Sequence, residues 1–159
     1  MNDEAIAILD QHRTMVISTL RPDGWPQSTI VGYANNGFVL YFLIFRTSQK
    51  FANISGDDRV SVAIGEEPQD LREAKAVYAA AFAAEVLDPH EREHAWRLLA
   101  ERHPNLRGTA RPDSSQTALM RAECRHISML DYSKGLGHTD ALHLDTGGGV
   151  TRAAIENER

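Results

Sequence analysis

The chain has a single cysteine, Cys124, in 159 residues, so no disulfide can form within it. A buried structural thiol in a reducing, cytoplasmic setting is the expectation. Long apolar runs are missing as well: none approaches the roughly 20 residues that span a bilayer. The opening MNDEAIAILD is acidic and lacks the basic start and apolar stretch of a signal peptide. Positive charge is in deficit, with 17 Lys and Arg against 22 Asp and Glu and a net charge of -5. Scattered cations in an acidic chain leave no electrostatic footprint for nucleic acid. No internal repeat is present. These absences exclude disulfide scaffolds, membrane spans, repeat arrays and nucleic-acid binders. What remains is a cytoplasmic globular protein, long enough for one domain with a real core and too short for two. That domain is expected over 1–145, with the glycine-rich, then polar stretch 146–159 as a flexible tail.

Local signals predict a mainly β chain. Asn2 or Asp3 can cap a first helix, EAIAILDQH. TMVISTL is a β-branched run stopped by RPDGWP, where Pro22, Asp23 and Gly24 fit positions i+1 to i+3 of a type I turn. A second strand, QSTIVGY, leads to Asn36-Gly37, a strong hairpin signal. FVLYFLIF is apolar on both faces and predicts a strand covered on both sides. RVSVAI is a further short strand, and tight antiparallel hairpins in the first 65 residues argue for a small barrel and against βαβ units. The stretch AKAVYAAAFAAEVL is contested: alanine favours helix, whereas the alternation of Tyr78, Ala80, Phe82, Ala84 and Val86 favours strand. The pattern is followed, and a strand is expected over 76–87. Asp88-Pro89 opens a helix through His103. A polar stretch over 104–116 follows, with a short helix near QTALM and then the strand CRHISMLDY.

Two familiar motifs fail on context. HEREH at 90–94 matches the zinc-protease pattern H-E-x-x-H. On a helical wheel, however, His90 and His94 share a side with Arg97 and Glu101, opposite Ala95, Trp96 and Leu99, so no metal is expected there. The remaining histidines, His12, His103, His126, His138 and His143, show no ligand spacing. The glycines of KGLGH and TGGG lack the strand before and helix after that a dinucleotide loop needs.

FRTSQKFANI is different. Thr47 or Ser48 can cap a short helix, but Arg46 and Lys50 place two cations at an end that already carries about half a positive charge. No Asp or Glu relieves them before Asp57. One reading is a capped helix with solvated cations. The other is an anion site, in which the hydroxyls of Thr47 and Ser48, free N–H groups of the first turn and the Lys50 ammonium converge on one phosphate. Its place after an apolar strand suits a ligand with a phosphate at one end and a flat ring at the other.

The order TMVISTLRPDGWPQSTIVGY, NGFVLYF, RTSQKFANI with DDRVSVAIG, and ISMLDYSKGLGHTD resembles the pyridoxamine 5'-phosphate oxidase-like family, the FMN-binding split β-barrels, and especially their small general-stress-protein-like bacterial members. The resemblance covers most of 12–65 and 126–140; the middle matches only in layout. It implies a six-stranded antiparallel split barrel with flanking helices, paired as a homodimer with FMN in the interface. Carried over, the phosphate meets Ser48, Gln49 and Lys50 with Thr47 close by. The ring and ribityl chain run along Thr29, Ile30, Val31 and Gly32 and against Tyr41 and Phe42. The implied activity is an FMN-dependent oxidoreductase on an unidentified small molecule. The alternatives are a non-catalytic flavin-binding stress-response protein, or the same fold holding deazaflavin or haem, with His126, His138 or His143 as axial ligand. There are departures. Thr29 falls where the classical oxidases carry arginine, and LDYSKGLGHTD replaces their C-terminal Trp and Arg-x-His segment. Pyridoxamine phosphate is therefore not the expected substrate, and no acid–base residue is assigned.

Overall fold

The computed structural model describes residues 1–106 and 108–145 and the backbone of Val150–Thr151. After helix α1 (Asn2–Gln11) come β1 (Thr14–Leu20), β2 (Pro26–Gly32), β3 (Ala34–Asn36) and β4 (Val39–Phe45). They are followed by α2 (Gln49–Gly56), β5 (Arg59–Gly65), β6 (Lys75–Glu85), α3 (Pro89–Arg102), β7 (Thr117–Asp131), β8 (Thr139–Leu144) and β9 (Val150–Thr151). All pairings are antiparallel, in the order β2-β1-β5-β6-β7-β4-β3, with β8 on β7 and β9 on β8. The curled sheet is the expected mainly β split barrel. Among the described residues it has nine strands rather than six, because the short β3 and the edge strands β8 and β9 add to β1, β2 and β4–β7.

The turn chemistry acts as expected. Gly24 N–H donates to Arg21 O at 2.9 Å, closing the turn between β1 and β2. Gly37, with φ 57, makes the corner before β4 that a side chain would strain.

Alternation then decides the core. Met15, Ile17 and Thr19 of β1, Val60, Val62 and Ile64 of β5, and Leu40, Phe42 and Ile44 of β4 are buried. β6 is a strand despite its alanines, and they explain its place. Val77, Ala79, Ala81 and Ala83 point inward, and α1 and α2 both contact this strand. Small inward residues leave room for the helices that close the interior. Tyr78 and Phe82 face outward, 46% and 44% exposed.

β4 is covered on both sides as expected. Leu40, Phe42 and Ile44 join the barrel core, while Tyr41 and Leu43 pack with Ala95 and Leu99 of α3. Arg102, at the end of α3, ties the helices together by donating to Leu9 O (3.2 Å), His12 O (2.8 Å) and Asn35 Oδ1 (3.0 Å). The first two are carbonyls at the C-terminal end of α1, where a cation also meets the negative end of the helix dipole.

One expectation is corrected, and another lies mostly outside the described residues. QTALM is not helical: Thr117–Met120 begins β7, paired to Phe42–Phe45 of β4. A strand that completes the barrel overrides a weak local helix signal. Of the expected tail 146–159, all but Val150–Thr151 lies outside the described residues, and that pair forms β9 against β8.

β7 carries the feature that splits the barrel. Its pairing with β6 shifts between Ala80 and Ala81, leaving Arg125 as an extra residue. Positions in the barrel core are even-numbered through Cys124 and odd-numbered from Ile127, while Leu119 is buried on the other face with Ala95 and Leu99 of α3. On its other edge, β7 pairs with β4 up to Glu123 and with β8 from His126. The bulge therefore coincides with the change of partner, and it leaves Arg125 and His126 together outside the core.

Candidate functional site

α2 begins as a capped helix. Ser48 Oγ accepts from Phe51 N at 3.2 Å and donates to Phe45 O at 2.6 Å, so its hydroxyl is already engaged. A cap of this kind contributes about 1 kcal/mol. Thr47 and Gln49 are exposed and Lys50 is half-buried. There is no acidic residue in the first turn. Among the described residues the N–H groups of Gln49 and Lys50 have no acceptor, and the Lys50 ammonium has no ion-pair partner. Arg46 is differently placed. It pairs with Glu85, donates to Ser114 O at 2.7 Å and lies over the Phe51 ring. Of the two cations that raised the question, only Lys50 is free for an anion.

β2 runs alongside. Asn53, one turn after Lys50, is 1% exposed and donates to Thr19 Oγ1 (3.0 Å) and Gln27 Oε1 (3.1 Å) while accepting from Gln49 Nε2 (2.8 Å). These bonds lay α2 over the inward face of β1 and β2. Thr29 is two residues along from Gln27 on that same face, opposite Ile17, and its buried Oγ1 has no hydrogen-bond partner among the described residues. An unpaired buried hydroxyl costs roughly 1–3 kcal/mol unless a ligand or water meets it. Val31 also points inward, against the core. Ile30, 74% exposed, points the other way. Gly32 lies under the His103 imidazole, whose Cε1 would stand 3.1 Å from an added Cβ, so a side chain there would press on that ring.

The outer face of the sheet is open and contains a cavity of about 460 Å³. Ser18, Ser61 and Ala80 form its floor, with Phe82, Arg59, Arg125 and His126 around it. A second hollow of about 420 Å³ shares that floor and is flanked by Val16 and Tyr78.

The family model described as pyridoxamine 5'-phosphate oxidase matches residues 1–131. The chain belongs to that family. Comparison with curated protein sequences finds no match. Among solved structures, a haem-binding protein from Mycobacterium smegmatis superposes with a TM-score of 0.76 at 19% identity, over 89% of this chain and 57% of that one. General Stress Protein 26 from Bacillus anthracis gives 0.69 at 23% identity, over 90% and 98% of the two chains. A FAD-binding protein from Mesorhizobium loti gives 0.65 at 22% identity, over 81% and 93%. At these identities the likeness establishes the fold shared with the oxidase family. The chain spans little more than half of the mycobacterial protein.

Within this family member the ten residues expected at the ligand divide. Thr47, Ser48, Gln49, Lys50 and Thr29 gather around α2 and β2. Tyr41 and Phe42 do not reach that surface: they are 2% and 0% exposed, one under α3 and the other in the barrel core. The sequence missed Asn53 and Gln27, whose bonds position α2, because their meeting depends on a strand and helix 26 residues apart.

Tyr41 OH donates to Glu91 Oε2 at 3.0 Å, and burial, followed by that carboxylate, pushes its pKa up to about 12 from 10.0. A folded pKa above the unfolded one contributes stability that is fully present below about pH 10 and lost as the pH rises through about 12. Tyr33, raised chiefly by burial, acts in the same direction. Tyr41→Phe is therefore expected to make stability fall less steeply across that alkaline window, with the Tyr33 contribution remaining. Urea midpoints measured at stepped pH check this; an unchanged slope would place Tyr41 in solvent.

Burial also pushes the Cys124 thiol up to about 12, so it is an inert core group. On α3, Ala95 and Leu99 are buried and His90 is exposed. Among the described residues no three or more metal-ligating side chains cluster, and no helix is long and apolar enough to cross a membrane.

Proposed function

We propose that the protein binds FMN, with its phosphate at the N-terminus of α2, and serves as an oxidoreductase on a small molecule. The observation that carries this reading is the combination at α2. Two N–H groups of its first turn have no acceptor among the described residues, and the half-buried Lys50 ammonium has no ion-pair partner among them. A phosphate can accept from the N–H groups and the ammonium, and negative charge there is favoured by the helix dipole. Ser48 contributes by capping the helix, which aims the free N–H groups outward. Thr29 offers a donor of its own on the inward face of β2. When bound, the flavin supplies the electron and hydride chemistry. The side chains hold and orient it and keep water from one face.

Pairing of two chains through the open sheet face belongs to the same proposal. Ile30, Val16, Tyr78 and Phe82 are exposed around a floor of small residues, an apolar surface of the kind that marks association. A second copy packed there would wall the ligand on the side that one chain leaves open.

The absorbance spectrum of the purified protein, before and after incubation with FMN, tests the cofactor. Bands near roughly 370 and 450 nm that stay with the protein through gel filtration are expected. A Soret band would replace this reading with haem binding, the property of the mycobacterial structural relative. Oxidation of NADH or NADPH with an electron acceptor separates an enzyme from a flavin-holding stress protein.

A further inference from the structure

His126 and His143 are 17 residues apart in sequence and directly opposite each other in the β7–β8 ladder. Their Nδ1 atoms are in direct contact and the rings meet edge to face with centroids 4.5 Å apart. Both side chains lie on the outer face of the sheet, His126 exposed and His143 half-buried. In the neutral pair one Nδ1 carries the proton and the other offers a lone pair to it. Both nitrogens thus aim at one shared point, held there by the strand pairing.

We infer that this pair is a binding site for a borderline divalent transition-metal ion, such as Ni²⁺ or Zn²⁺, which takes the place of the shared proton. Two imidazole nitrogens, each about 2.0–2.1 Å from one ion, stand about 3 Å apart. Modest rotation of the two rings reaches that geometry while the backbone ladder stays intact. Imidazole suits these ions. The proton that leaves Nδ1 is exchanged through solvent for one at Nε2 of the same ring, so both ligands stay neutral imidazoles, and water fills the remaining positions.

The surroundings leave room for it. Ala80 is the neighbour of His126 across β6, and Ser128 and Ala141 form the next pair on the same face. Arg125 is the nearest cation along the chain, but it donates to Glu123 at 2.7 Å and lies over the Phe82 ring. Because His126 also lines the 460 Å³ cavity, an ion here would present its open positions to a ligand in that cavity. The bulge at Arg125 creates the arrangement by turning His126 outward where β7 takes up β8 as its partner. The site uses neither Lys50 nor Thr29, although His126 borders the sheet face proposed for pairing.

Calorimetric titration of the full, untagged protein with NiCl₂ tests the inference. Wild type is expected to bind in the micromolar range, and His143→Ala and His126→Ala each to weaken that binding at least tenfold. Both residues are on the outer face of the sheet, and metal-free thermal unfolding together with sedimentation verifies that the variants fold and pair as wild type does. The doubly substituted His90→Ala, His94→Ala protein removes the competing pair on α3 and should keep the wild-type affinity. Nickel should also raise the unfolding temperature of wild type and not of His143→Ala, because only a folded pair binds. Wild-type affinity in His143→Ala, or loss of the binding in the α3 variant instead, would overturn the assignment.

Discussion

Ser61→Glu is expected to leave a folded monomer of about 17.7 kDa that no longer retains flavin. Ser61 is exposed at the centre of the open sheet face, between Ser18 and Ala80, and forms the floor of both hollows. In a single chain the new carboxylate reaches water, so the change should alter stability by no more than about 0.5 kcal/mol. In the centre of a dimer interface the same carboxylate would be buried without a partner, at a cost of several kcal/mol. That is enough to dissociate a dimer at micromolar concentration. Sedimentation and retained flavin absorbance are the two readouts. Wild type should sediment at twice the monomer mass with flavin bound, and the variant at the monomer mass without it. A wild-type monomer that holds flavin would show that one chain completes the site, and pairing through this face would be abandoned.

Lys50→Ala should weaken FMN binding by about 1.5–3 kcal/mol, roughly ten- to a hundredfold, because it removes a charge-assisted hydrogen bond to phosphate. Riboflavin has the same ring without the phosphate, and its weaker binding should barely change. Without ligand the variant should be no less stable than wild type, since it removes an unpartnered cation from a helix N-terminus. Arg46→Ala is the informative contrast. Arg46 holds Glu85 and the Ser114 carbonyl, so its loss should lower stability more than it lowers the preference for FMN over riboflavin. Titration of both ligands against wild type and the two variants separates the roles. Equal losses of FMN and riboflavin in Lys50→Ala would return α2 to a capped helix with a solvated lysine.

The parts of the fold written in local chemistry were legible. Pro22-Asp23-Gly24 and Asn36-Gly37 set the first hairpins, Ser48 and Asp88 cap the helices they precede, and alternation identified β6 through its alanines. Where local and long-range preferences disagree, local reading failed. Thr117–Met120 has the composition of a short helix, yet it is the strand that β4 requires. Arg46 looked like a partner for Lys50, but its own partners, Glu85 and Ser114, lie 39 and 68 residues away.

By itself the sequence determined the class of protein, the antiparallel barrel, the capped start of α2 and the unrelieved charge of Lys50. Each depends on residues within a turn or two of one another, where backbone geometry and the helix dipole act directly. Only the tertiary structure decided which face of β4 meets the barrel core and which meets α3, that Tyr78 and Phe82 face out, and that the Thr29 hydroxyl lacks a partner among the described residues. It also decided that histidines with no spacing in sequence meet across β7 and β8. The reason is register. In a strand, one extra residue exchanges inside for outside, and the bulge at Arg125 becomes visible only when β7 is laid against its neighbours.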